Sequence, residues 1–112
     1  DQLIARNAEL LLDESVTLVS GQNLKRGALL GKITTGGKYT LSLSGSSDGS
    51  QTPARILALD CDASAGDKTT LVYKRGDFIE DGVTFGASHT AASTAAVLND
   101  LGIFIIPNVG GV

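Results

Sequence analysis

From Ser15 onward the hydrophobic positions recur mostly at every second residue, in short runs parted by glycine-rich or polar stretches. That period predicts strands. The clearest part is residues 53–85. Residues 55–61 alternate, with Leu57, Leu59 and Cys61 on one face and Ile56, Ala58 and Asp60 on the other. A polar, glycine-containing loop follows at residues 62–67. Residues 68–75 alternate again, Leu71 and Tyr73 against Thr70, Val72 and Lys74. Two such runs around a short loop predict an antiparallel pair, with Leu57, Leu59, Leu71 and Tyr73 as the inward set.

Upstream, residues 16–19 and 28–34 are strand candidates. Gly31 interrupts the second, and a glycine inside a strand marks a bulge or a close backbone approach. Gly36-Gly37 supplies a hairpin turn, beyond which Tyr39, Leu41 and Leu43 alternate with polar residues. Residues 44–52 form an exposed polar loop, and Pro53 helps keep a helix from starting there. Downstream, Phe78, Ile79, Val83 and Phe85 surround an Asp81-Gly82 turn. Residues 90–101 predict the one convincing helix, with Thr90 as N-cap, a stripe of Thr94, Val97, Leu98 and Leu101, and Gly102 just past the end. Residues 103–106 are an apolar strand stopped by Pro107, and residues 108–112 a loose tail. The sum is a mainly β domain of about seven short strands with one short C-terminal helix.

Residues 1–14 follow another pattern. Leu3, Ile4, Ala8, Leu11 and Leu12 fall near helical spacing, with charged and polar residues between them. Two readings stand side by side: a short helix packed on the domain, or an arm that becomes ordered against a partner. An isolated helix of this length is marginal in water, so either reading needs a receiving surface.

Composition narrows the class. The apolar fraction, 42%, is that of a globular chain, and 112 residues make one domain. Aromatic residues are only 4%, with no Trp and no Met, so the core must come from smaller aliphatic side chains. A core that thin in a domain this small invites oligomerisation. The net charge of −3 disfavours a nucleic-acid partner, which calls for a basic surplus. No apolar run approaches the ~18 residues that span a bilayer, so no membrane segment is expected. A single cysteine cannot form an internal disulfide. The chain opens on Asp1 rather than Met, which reads as a processed or trimmed start without signal-peptide order.

Candidate chemistry is sparse. His89, the single histidine, has no nucleophile-elbow pattern near it and reads as a polar loop residue. Cys61 and His89 fall short of a zinc ligand set, and Cys61 shares a face with Leu57 as a small hydrophobe. Asp60, Asp62 and Asp67 could serve acid–base or cation chemistry, yet lack an EF-hand pattern and read as solvated turn acids. Lys32 lies near a glycine turn without occupying it, unlike a carrier lysine. No glycine pattern suits a phosphate cradle.

Taken in order, residues 24–34, Lys38-Tyr39, residues 47–49, residues 54–57, the turn at 60–66 and residues 71–78 resemble the head decoration proteins of lambda-like bacteriophages. The similarity runs from Val16 to Val109. It implies a β-clip-like domain over residues 15–112 that assembles as a homotrimer. It further implies a seat at local three-fold positions on the outer surface of the expanded capsid in the virion. There the trimer would clamp neighbouring major capsid protein subunits against internal DNA pressure, with no catalysis and no cofactor. Residues 1–14 take the place of the family's capsid-contacting arm, with Leu3, Ile4, Leu10, Leu11 and Leu12 as capsid-binding anchors. The family arm is extended and rich in Thr, Pro and Gly, whereas this segment has helical spacing and no Pro. The competing class is a trimeric β-clip enzyme of the nucleotide-hydrolase type, for which the sequence offers Asp60, Asp62, Asp67 and Arg75. A β-rich binding module outside any virion is the third.

Overall fold

The computed structural model describes residues 3–6 and 12–107. These residues hold nine strands, one α-helix and a 3₁₀ turn at Glu80–Gly82: β1 (Ile4–Arg6), β2 (Leu12–Leu18), β3 (Asn23–Leu24), β4 (Leu29–Lys32), β5 (Tyr39–Leu41), β6 (Pro53–Leu57), β7 (Cys61–Asp62), β8 (Lys68–Ile79), α1 (Ala91–Asp100) and β9 (Ile103–Ile106). The mainly β expectation with one late helix is met. The tail at 108–112 lies outside the described residues.

The twelve-residue β8 is the spine. Its first part pairs antiparallel with β2 on one side and with β6 on the other. β6 pairs with β4, β4 with β5, and β5 meets β2 through a parallel pairing of Leu18 with Tyr39. The ladder therefore closes on itself as a five-stranded barrel, β8–β2–β5–β4–β6, which leaves those strands few open edges. The last part of β8 leaves the barrel. There it pairs with β1 (Ile4 opposite Phe78) and, in parallel, with β9 (Gly76 to Ile79 opposite Ile103 to Ile106). Gly76 takes φ +145° where the partners change, a backbone conformation side chains rarely adopt.

Two cores result. Leu18, Ala28, Leu30, Tyr39, Leu57, Cys61, Ala63 and Val72 fill the barrel. Leu3, Leu29, Ile56, Phe78, Val83, Leu98 and Ile103 pack between the outer faces of β4, β6 and β8 and the helix. Neighbours in sequence serve opposite cores: Leu29 and Leu30, Ile56 and Leu57, Val72 and Tyr73. These strands are buried on both faces.

That two-sided burial corrects the expected inward set. The predicted antiparallel pair exists, with Ile56 opposite Tyr73 and Leu57 opposite Val72. Leu59, however, is 51% exposed and Leu71 38%, whereas Val72 is fully buried. β6 ends at Leu57, and Cys61 belongs to the separate β7, paired with β3. The connection is thus longer than the turn at 62–67. Leu71, opposite Ser15, shares the outer face of β8 with Tyr73, but the second core reaches Tyr73 and not Leu71, so alternation with Tyr73 does not carry it inside.

Residues 3–6 and 12–14 are also corrected. They are extended rather than helical, in β1 and the start of β2. The physical reason is the sheet edge: β8 offers unpaired backbone groups there, and a short strand satisfies them at once. A lone helical turn has no comparable demand to answer. β2 runs through positions 14 and 15 without a break.

Gly31 behaves as both alternatives foresaw. The β4–β6 register shifts between Leu30 and Gly31, and a Cβ at Gly31 would run into the backbone of Ser50. The hairpin at Gly36-Gly37 has both residues at positive φ, joining Lys32 to its partner Tyr39. Thr90 caps α1 through a reciprocal box with Ser93, 3.0 Å from the Ser93 N–H and 2.9 Å from the Ser93 hydroxyl to its own N–H.

Candidate interaction surface

The five apolar residues expected to anchor on a partner fall in unlike places. Leu3 is 3% exposed and belongs to the second core; its carbonyl accepts a 2.6 Å hydrogen bond from the Ile79 N–H. Ile4 is half-buried against that core, opposite Phe78. Leu12 opens β2, opposite Arg75. Leu10 and Leu11 lie outside the described residues. The structure thus brings Leu3 and Ile4 together on the body and leaves Leu12 at the barrel's end.

The acids proposed for chemistry are distributed among turns. The Asp60 carboxylate accepts from the Arg26 N–H at 2.8 Å and lies 3.8 Å from the Lys25 ammonium. Asp62 accepts from the Ser64 hydroxyl and N–H, which hold its carboxyl below the usual range. Asp67 is lowered by Lys38 and by the Ser20 N–H. Arg75 stands eight positions further along β8, roughly 26 Å at strand rise, so it does not join these acids within one chain. Among the described residues no group of three or more His, Cys, Asp or Glu could hold a metal ion.

His89 is better placed than a generic loop residue. Its Nε2 lies 3.1 Å from both the Ser42 hydroxyl and the Gln51 carbonyl. A carbonyl can only accept, so Nε2 carries its hydrogen. The Ser42 hydroxyl gives its own hydrogen to the Ser50 carbonyl at 2.7 Å, and Ser42 is fully buried. The pair is therefore not a base facing a nucleophile; it ties the loop before α1 to the loop at 44–52. Ser42 and Ser50 are two fully buried polar residues that periodicity missed. Their one signal was position, at the two ends of a loop whose far side must meet Gly31 and Gly86. Cys61, buried in the barrel, belongs to the other core and shares nothing with His89.

At the end of the barrel where β2 begins, charge gathers. The Arg55 Nε donates to Glu14 at 2.7 Å, and Arg55 also reaches the Ala54 carbonyl at 2.8 Å. The bond to Arg55 holds the Glu14 carboxyl below its usual range, with Lys74 and Lys32 adding their fields. Burial pushes the Tyr39 phenol nearby upward.

The described residues form a closed small barrel with an appended helix, a mainly β domain whose turn acids are bonded locally. The chain belongs to the bacteriophage lambda head decoration protein D family, whose model matches residues 1–106. It is a decoration protein of the phage head, located on the capsid of the virion. The match takes in residues 1–15, which the resemblance from Val16 onward did not cover. No individually curated protein matches the chain.

Proposed function

We propose that this chain stabilises the capsid as a homotrimer with β-clip-like subunits, seated on the outer surface at local three-fold positions of the expanded shell. There it clamps neighbouring major capsid protein subunits against internal DNA pressure, without catalysis or a cofactor. The observation that carries this reading is the family match along residues 1–106. The thin aliphatic cores agree with it, since exposed Leu43, Leu59, Leu71, Leu101 and Phe104 are apolar area that assembly can bury.

The N-terminal segment, residues 1–14, is the proposed capsid contact. Ile4, Leu10, Leu11 and Leu12 are its anchors, while Leu3 holds β1 to the body. Extended geometry at β1 favours attachment by strand addition, in which main-chain hydrogen bonds supply affinity and alternate side chains supply specificity. Reconstructions of expanded shells with and without the protein test the placement. Added density with three-fold symmetry at the local three-fold positions is expected; density elsewhere overturns it. Substituting Leu10→Asp with Leu11→Asp is expected to abolish shell binding with the fold intact, and unchanged binding contradicts the arm's role.

A further inference from the structure

One end of the barrel is a charged rim. Glu14 is opposite Val72, Arg55 opposite Leu30, and Lys32 opposite Tyr39. Residues directly paired across a ladder share a face of the sheet, and Val72, Leu30 and Tyr39 all line the barrel core. Glu14, Arg55 and Lys32 therefore stand on the inward side, where the interior ends. Lys74 joins them through a bulge. Between the pairs Leu12–Arg75 and Asp13–Tyr73, β8 carries one residue more than β2, and that residue is Lys74. Bulges re-aim the side chain they carry, and here Lys74 comes close enough to act electrostatically on Glu14.

The rim is unbalanced. Among the described residues three bases, Arg55, Lys74 and Lys32, act on one acid, Glu14, in a chain whose net charge is −3. Glu14 is held by Arg55 at 2.7 Å, while Lys32 remains exposed and Lys74 half-buried. Like charges converging on a barrel mouth repel one another, and an incoming anion relieves that repulsion. The mouth of a small barrel is also a recurrent place for binding.

We propose that this rim is a docking site for a carboxylate, supplied by an acidic side chain of the capsid protein on which the trimer sits. The occupant rests on the decoration reading above; the chemistry of the site rests on the barrel alone. A protein side chain fits better than a free small anion because Lys32 is exposed and Lys74 only half-buried, an open rim rather than a closed cradle. The rim also lies at the end of the barrel from which the N-terminal segment leads, so a partner gripped by that segment stands beside it.

Two arms test the site and its occupant separately, using wild type and a Lys32→Gln, Lys74→Gln variant of the full chain. In the first, a hexaglutamate peptide is titrated into isotopically labelled protein. Shift changes at Arg55, Lys32 and Lys74 that vanish in the variant are expected; no shifts in the wild type overturn the site. In the second, binding to expanded shells is followed across salt concentrations. The variant is expected to bind about tenfold more weakly with a flatter salt dependence. Equal affinity and salt dependence overturn the capsid side chain as occupant, whatever the peptide does. If wild type ignores the shells altogether, the decoration reading falls, and the peptide arm still decides the site.

Discussion

Glu14 and Arg55 show how single residues tie strands of the barrel together. Their ion pair bridges β2 and β6, strands that both flank β8. Side chains 34% and 18% exposed keep partial solvent screening, so Glu14→Gln is expected to cost about 1 kcal/mol. Because the folded carboxyl titrates below its ordinary 4.5, the pair's contribution is whole above that pH. It is lost as pH falls through the lower folded value. Urea unfolding over a pH series from neutral into acid measures this: the difference between wild type and variant should be whole at neutral pH and shrink steadily as pH falls below 4.5. A difference that does not shrink at all as the pH is lowered denies the ion pair its role.

Glycines make a sharper test at the same scale. Gly31→Ala drives a Cβ into the Ser50 backbone, and a loss of about 3 kcal/mol or failure to fold is expected. Gly66→Ala meets nothing within 4 Å and should change stability by no more than about 0.5 kcal/mol. Comparable losses at the two sites would contradict the packed approach of the 44–52 loop to β4. Gly31 was legible in the sequence as a bulge or close approach. The Ser42–His89–Gln51 tie was not, since its three residues are distant along the chain and carry no spacing signal.

At the scale of elements, the helix was readable because its signals are local: cap, stripe and terminating glycine all lie within a dozen residues, although of the stripe Thr94 and Leu98 are buried and Leu101 is 42% exposed. The hairpin at Gly36-Gly37 was readable for the same reason. The inward faces of β6 and β8 were not. Alternation separates two faces but cannot name the buried one when both are buried, as with Ile56 and Leu57 or Val72 and Tyr73. In residues 3–6 a few apolar positions matched a helical period, and the demand of an open β8 edge outweighed it. For α1, Thr90→Ala should cost about 1 kcal/mol through the lost cap. Leu98→Ala should cost about 3 kcal/mol through the cavity it leaves in the second core. Thermal melts of both variants check the order; a larger loss from the cap than from the cavity would contradict the placement of Leu98.

For the whole molecule, function lay less in residue chemistry than in likeness along the chain. Turn acids, a buried cysteine and a bonded histidine supply stability and leave no assembled site within the described residues. Membership of the head decoration family is what points to a shell; the rim and the N-terminal segment are the proposed contacts. Light scattering should report three times the chain mass, and a monomer at every concentration would contradict the proposed trimer. The central claim is capsid decoration, and co-sedimentation with expanded, undecorated shells tests it most directly. The protein is expected to pellet with the shells and to saturate at a fixed ratio to the major capsid protein. Protein left wholly in the supernatant at every shell concentration would contradict the account.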